Sequence, residues 1–533
     1  MNTRSIRLSG LLLALCALWY APWLIVSVNH DALWLALPFV VANLLIVANA
    51  LLTVVNNWRR SVPKERLISV GHEPDIAVII PTCGEPPAMV ERTLRSILTQ
   101  NWPHDRLRLV LSDDAHAPQL AALAANLQRE YPEAALVYHE PPARGTPARK
   151  GEAKAGNLNS ALGFILERWP GVRYVETRDA GDLVGDPDFL RHALGQLIAS
   201  RQIAYIQTIK EAQVSKSDPF GANEPFFYRG CMLARNSANA VFPCGSGLVW
   251  RLDALLDIGG FPAWNLVEDL HSGVLALRRG WRGVYLPIVG ALAQHAPEDL
   301  PNVYKQRGVW ALDTLRLLFW GEWRGLNLRQ RLHFVEMGLF YLQGFSLFAI
   351  LGVLIASFAL RVTPLTTDFF TYALHFWPFA VSLELFLAAM NGGRSWDELL
   401  RARQMWMGLA LVYVRATLLA LLYGPRRKPA YTVTRKVTHI GWHWRAALPQ
   451  MILLAALALA LAYSLVTTSL LTQFDLGSAY WAAYFGMFLG GLVTKSWYGV
   501  NALASIRLRL RALAGRSTPL SADESVNGSR NAA

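Results

Sequence analysis

The sequence predicts an α/β domain inserted between membrane-spanning helices, and three observations lead there. Hydrophobic residues make up 53% of the 533 and charged residues only 17%, with a mean hydropathy of +0.25, a balance that points to a membrane protein with a soluble part. Long apolar runs cluster at the two ends of the chain, where they reach the roughly 20 residues a spanning helix needs. Between them, residues 67–315 have soluble-domain texture, with short apolar runs alternating with helix-like stretches. That alternation is the pattern of a parallel sheet built from βαβ crossovers.

The elements follow in order. Leu8–Val28 and Ala32–Asn57 are uncharged, and only Asn29-His30-Asp31 separates them, so residues 1–58 read as a transmembrane hairpin. The first run is too long, and too closely followed by a second, to be a signal peptide. Arg59, Arg60, Lys64 and Arg66 come next and place the following domain in the cytoplasm. Ile76–Ile80, Leu107–Leu111 and Tyr174–Thr177 are the strand runs, and Met89–Leu98 and Gln119–Glu130 are helix-like.

Beyond residue 315 the membrane texture returns and continues to about residue 500. Ala311–Arg331, with Trp320, Trp323 and four arginines, predicts an interfacial helix. Met337–Leu360, Phe369–Met390, Ala446–Leu471 and Leu476–Thr494 complete six spans. Trp406–Gly424 holds Arg415 between basic flanks and reads as a further interfacial helix. Glu384 is a lone carboxylate inside a span. It is expected to pair with an arginine or face a polar path.

Six spans leave both termini inside, and the outer loops then contain one Arg and no Lys. The net charge of +13 is thus a membrane signature, with membrane lipids and not nucleic acid as the implied partner. Residues 501–533 form a tail that is basic and then, from Ser517, Ser/Asn-rich and expected to be disordered. The stretch after the sixth run is too short for a folded regulatory domain, so none of the cyclic-dinucleotide kind is expected there. Cys16, Cys83, Cys231 and Cys244 show no metal-ligand spacing and read as reduced packing thiols.

Several short motifs carry chemistry. Glu268 and Asp269 follow the Gly259-Gly260-Phe261 turn and open an apolar helix-like run. A helix N-terminus favours negative charge, so this pair is either a cap or a positioned base. Asp179-Ala180-Gly181-Asp182 follows a strand and offers hard oxygens suited to Mg²⁺ or Mn²⁺. Asp113 and Asp114 stand at the end of another strand, where ligands bind in such sheets. Lys154, Asn157 and Asn159 lie in a basic, amide-bearing segment suited to phosphate or sugar. Cys244-Gly245-Ser246 is a small-residue loop that lets a sugar approach closely. Gln306, Arg307 and Trp310 combine an amide, a cation and a flat ring. Tyr431, Val433, Thr434 and Lys436 lie on a basic loop able to close over a nucleotide.

Taken in order, with Pro81-Thr82-Cys83-Gly84-Glu85-Pro86 at the head, these motifs resemble the membrane-embedded family 2 glycosyltransferases, and among them the cellulose synthases, over residues 75–440. The resemblance implies a cytosolic GT-A-like, Rossmann-like domain in a protein of the bacterial inner membrane. It also implies a processive, inverting transfer from UDP-glucose to a growing β-glucan that is passed through the membrane, with an export or regulatory subunit as a partner. A transferase acting on a lipid carrier, a synthase of another β-glycan and a degenerate export scaffold are the rival readings.

The implied roles are these. Asp269, with Glu268 beside it, matches the catalytic base of the TED motif, with Val267 in place of Thr. Asp179 and Asp182 match the metal-binding DxD pair, with one extra residue between them. Thr82, Glu85, Asp113, Asp114, Lys154, Asn157, Asn159, Gln306 and Arg307 fall at donor-binding positions, and Asp113 or Asp114 would contact the uridine. Trp310 would stack on the acceptor sugar, near Cys244, Gly245 and Ser246. Tyr431, Val433, Thr434 and Lys436 resemble the FxVTxK gating loop. Val309 departs from QxxRW, whose arginine would hold the diphosphate. Lys305, four residues earlier on the same helix face, and Lys436 are the expected substitutes.

Overall fold

Among the described residues the strand runs assemble into one sheet of eight strands. The computed structural model describes residues 3–214, 218–223, 226–391, 396–427, 441–467, 472–497 and 499. Its strands are β1 (Ile76–Thr82), β2 (Leu107–Asp113), β3 (Ala135–His139), β4 (Tyr174–Thr177), β5 (Asp182–Val184), β6 (Ile203–Ala212), β7 (Leu248–Arg251) and β8 (Arg282–Ala293). They lie in the order β3-β2-β1-β4-β7-β6-β8-β5. The first four run parallel, as expected from the βαβ alternation.

The second half departs from the expected parallel sheet. β7 runs antiparallel to both β4 and β6, and β5 runs antiparallel to β8. The reversal has a consequence for the site. Leu248, the first residue of β7, pairs with Thr177, the last of β4. The loop 244–247 is therefore delivered to the carboxyl edge of the parallel strands.

Alternate residues of β1 bury into different clusters. Ala77 and Ile79 pack with Leu158, Ile165 and Trp250, while Ile76, Val78 and Ile80 pack with Val90, Leu94 and Ile97. A sheet covered on both faces reads as a continuous apolar run, which is why β1 lacks alternation in its sequence.

Among the described residues, six helices are long and apolar enough to cross a membrane: Thr3–Val26, His30–Asn57, Leu328–Leu360, Phe369–Met390, Trp444–Val466 and Gln473–Thr494. The bounds of several predicted helices differ in the structure. The predicted interfacial stretch 311–331 is divided. Helix Leu300–Trp320 ends at Gly321, and Leu328–Leu360 starts afresh behind an Asn327–Gln330 capping box. Arg329 and Arg331 thus belong to the first turn of the third span, which starts well before Met337. The boundary placed at residue 315 also falls inside a helix.

The predicted single helix 406–424 is broken as well. Trp396–Gly408 and Ala410–Tyr423 meet at 46° and reach the length of a seventh crossing only if taken together. Gln450 donates from its side chain to the Gly408 carbonyl at 2.8 Å, satisfying a backbone group next to the break.

Two carboxylates in this region have arginine partners. Arg403 donates to Glu384, as the cost of a lone carboxylate in a span demands. Arg361, the one basic residue of the predicted outer loops, bonds Asp475 at 3.1 Å and the Ser464 carbonyl at 2.9 Å.

Candidate active site

The carboxyl ends of β1, β2 and β4 form the floor of the site, and the polypeptide supplies its walls. Asp179 stands two residues beyond β4. The Asp182 N–H donates to the Asp179 carbonyl at 2.9 Å, closing a tight turn. Arg178 is fully buried and braces this turn, donating to the carbonyls of Leu183 at 2.8 Å and Gly290 at 3.0 Å. The turn absorbs the extra residue between the two aspartates, so both carboxylates reach one point.

That point is an ammonium group. Lys210, near the end of β6, places Nζ 2.7 Å from Asp179 and 2.8 Å from Asp182. Lys154, in the first turn of helix Ala153–Arg168, takes the other Asp179 oxygen at 2.7 Å and lies 3.4 Å from Glu268. The result is a line of alternating charge: Asp182, Lys210, Asp179, Lys154, then Glu268 and Asp269. Burial by itself would lower both ammoniums. The surrounding carboxylates outweigh it, Asp179 first for each lysine, and hold both well above their usual range.

Glu268 and Asp269 form the first turn of helix Glu268–Arg278. Val267 at the cap has no side-chain acceptor, where the usual threonine would have one. Asp313, buried on helix Leu300–Trp320, supplies the acceptor from outside, taking the Val267 N–H at 2.5 Å. Burial pushes the Asp313 carboxyl up to about 7, against the Val267 hydrogen bond and Arg316. Arg316 lies over the Trp264 ring at 4.6 Å and donates to the Trp264 carbonyl, to Asn265 and to the Arg427 carbonyl.

Asp269 is enclosed. Burial raises its carboxyl to about 7; Glu268 adds to the rise and Lys154 opposes it. Gly245 makes the enclosure possible. Its φ is +81°, and a Cβ there would stand 2.9 Å from the Asp269 carboxylate and 3.2 Å from the Lys154 ammonium. Only glycine leaves room for both.

Other predicted residues have structural partners. Asp113 is fully buried and accepts from Thr82 at 2.9 Å, the N–H groups of Ala115 and Ala117, and the Tyr138 hydroxyl. Asp114 is held in a fork by Arg149 at 2.8 and 2.9 Å, with Arg144 at 3.3 Å. Glu85 accepts the Cys83 N–H. Asn157 bonds the Ser112 carbonyl, and Asn159 holds both backbone groups of Phe261. Ser246 is fully buried and accepts the Asp179 N–H at 3.2 Å, while the Cys244 N–H donates to Gln207.

Thr82, Asp113, Asp114, Asn157 and Ser246 therefore shape the strand ends. Lys154, Asp179, Asp182, Gly245, Glu268 and Asp269 converge. Gln306 is half-buried on helix Leu300–Trp320, where the Arg307 guanidinium lies 4.8 Å from the Trp310 ring centre. Tyr431, Val433, Thr434 and Lys436 lie outside the described residues.

Sequence reasoning missed Lys210, Asp313 and Arg316, and left Arg149 as part of a basic segment. Arg149 stood in the basic segment before Lys154, and Asp313 and Arg316 stood in the stretch 311–331 read as an interfacial helix. Lys210 sits in a strand with ordinary neighbours, and tertiary contact alone gives all four their place.

Residues 74–312 match the family described as "Glycosyltransferase like family 2". This stretch is a family 2 glycosyltransferase domain. Curated relatives agree with it. A cellulose synthase catalytic subunit [UDP-forming] from Komagataeibacter sucrofermentans is 30% identical over 278 residues, 49% of this chain and 34% of its own length. Putative cellulose synthase 2 from Komagataeibacter xylinus is 27% identical over 489 residues, 84% of this chain and 29% of its own. A cellulose synthase catalytic subunit [UDP-forming] from Pseudomonas fluorescens is 25% identical over 425 residues, 76% of this chain and 53% of its own. The chain thus spans between about a third and a half of the length of these relatives. A solved mannosyltransferase from Pyrobaculum calidifontis, in complex with GDP-Man and Mn²⁺, is 18% identical, covers 72% of this chain and 99% of its own, and superposes with a TM-score of 0.51. The family 2 domain therefore has a GT-A-like fold, here beside helices long enough to span a membrane.

Proposed function

We propose that the chain is a processive, inverting synthase that extends a β-glucan of the cellulose type from UDP-glucose and passes it through its own spanning helices. The family 2 domain would face the cytoplasm of a bacterial inner membrane. The observation that carries this reading is the alternating charge line, which sets a half-buried carboxylate of raised pKa one lysine away from a pair of carboxylates suited to a cation. In this reading the acceptor hydroxyl gives its proton to Asp269 as the hydroxyl oxygen bonds the sugar C1. The C1–O bond to the diphosphate breaks, and UDP leaves with the electron pair. One displacement without an enzyme nucleophile turns an α-linked donor into a β-linkage.

The donor set fits a divalent cation. The Asp179 and Asp182 oxygens converge on one point, and two carboxylates completed by phosphate oxygens are a common Mg²⁺ arrangement. Such an ion, Mg²⁺ or Mn²⁺, would neutralise charge on the departing diphosphate. Lys154 lies between this pair and the base and would orient the donor against both. Trp310 stands on the helix that also carries Asp313, so the same helix would bear the acceptor platform and cap the base helix.

Val309 favours the rival reading of a degenerate export or scaffold subunit, since the arginine expected at that position is absent. The test is synthesis. Protein purified into lipid receives individual radiolabelled UDP-sugars, and the product is digested with linkage-specific hydrolases. Polymer from UDP-glucose, cut by a β-1,4-specific enzyme, is expected. A β-1,3 or mixed product would correct the linkage. No polymer from any UDP-sugar, with export or regulatory partners added, would favour the scaffold.

A further inference from the structure

We propose that Lys210 is a built-in counter-ion that occupies the divalent-cation position until the donor arrives, and then serves the diphosphate in place of the arginine missing at Val309. The inference rests on reading Asp179 and Asp182 as the metal pair. Its basis is the double contact of one ammonium. Lys210 Nζ lies 2.7 Å from Asp179 and 2.8 Å from Asp182, and each contact uses an oxygen that a metal would need. A bound Mg²⁺ takes its oxygens at about 2.0–2.1 Å. An ion held that closely by both aspartates would share the space of the ammonium, and two like charges so near repel strongly away from bulk water. Metal entry therefore requires Lys210 to leave.

Lys210 is able to leave. A quarter of its side chain is exposed, and its flexible four-carbon stem carries a point charge that needs no fixed fork. Lys154 does not vacate the site in the same way. It bonds the other Asp179 oxygen and also faces Glu268 and the Gly245 carbonyl, so it remains anchored when the metal point is taken. The displaced Lys210 ammonium would lose two carboxylate partners, and a diphosphate bound beside the aspartate pair would offer it anionic oxygens in their place. The exchange makes free metal a poor ligand and donor-bound metal a good one. It also puts a cation beside the leaving group in a chain whose residue 309 is apolar.

The inference makes two expectations of opposite sign. Titrated with Mn²⁺ alone and followed by electron paramagnetic resonance, Lys210→Met in lipid should bind the ion about tenfold more tightly than the wild type, since a competing charge is gone. With Mn²⁺ saturating, the same variant should bind UDP about tenfold more weakly, since a cation is missing from the diphosphate. Lys210→Arg, which keeps the charge, should gain no Mn²⁺ affinity. Lys210→Gln takes the place of the methionine variant if that one does not fold.

Unchanged or weaker Mn²⁺ binding by the neutral variants would overturn the counter-ion role, and undiminished UDP binding would overturn the diphosphate role. Asp179→Ala separates this failure from that of the underlying reading. If Asp179→Ala lowers Mn²⁺ affinity while the Lys210 variants leave it unaltered, only the Lys210 proposal falls. If Asp179→Ala also has no effect, the metal pair itself is wrong.

Discussion

Asp179 and Asp269 share Lys154 as a neighbour and otherwise have contrasting electrostatic surroundings. Asp179 is flanked by cations on both oxygens, Lys154 on one and Lys210 on the other. Asp269 is enclosed beside a second carboxylate, and its pKa rises to about 7. One aspartate is thereby paired with a cation on each side. The other is poised to take up a proton near neutral pH. The residue type is the same; burial, with Glu268 adding to it, raises the Asp269 carboxyl, while Asp179 has a lysine on each oxygen.

The largest effect should come from removing the poised member. Asp269→Asn is expected to lower turnover by about 10²–10⁴, the usual contribution of a general base, while UDP binding stays intact. Normal synthesis by this variant would break the contrast. Asp179→Ala should weaken UDP binding by about tenfold or more in the presence of Mg²⁺ or Mn²⁺ and by much less in chelator. Equal losses in both conditions would mean that Asp179 gathers no metal. Gly245→Ala should cut turnover by about tenfold, from strain at positive φ and from displacing Asp269 and Lys154, with a smaller change in UDP affinity.

Two pH experiments sharpen the comparison further. Because the Asp269 carboxyl must be ionised to accept a proton and titrates at about 7, turnover should fall as pH drops below 7. A flat profile down to pH 5 would remove the raised carboxyl from the mechanism. Asp313 gives the smallest effect, and it is one of stability. Its folded pKa of about 7 lies above the unfolded value, so its stabilising term is full below about pH 4 and is lost as pH rises through 7. Asp313→Asn keeps an acceptor for the Val267 N–H and removes the titration. Its melting temperature should vary less than wild type's between pH 5 and 8, with turnover within about threefold of wild type. Asp313→Ala, which leaves Val267 uncapped, should lose more turnover than the asparagine variant.

Much of this molecule was legible in its sequence. Hydropathy located the spanning helices, because a helix in lipid must be apolar over a fixed length whatever its neighbours are. It also required a partner for Glu384, and Arg403 provides one. Strand ends, short motifs and the resemblance they carry singled out Lys154, Asp179, Asp182, Glu268 and Asp269, which the fold brings close together.

Other features were decided only by tertiary structure. The antiparallel entry of β7 is a long-range pairing that no local pattern encodes, and it alone brings Gly245 against Asp269 and Lys154. The bond that Gln450 makes to the Gly408 carbonyl beside the helix break and the cap that Asp313 lends to Val267 come from residues far away in sequence. Lys210 shows the reason most plainly. In sequence it is one lysine at the end of a strand. Its importance arises from two carboxylates that the fold sets within 3 Å of its ammonium, and the strength of a charge interaction depends on distance and burial, which a linear order of residues does not record.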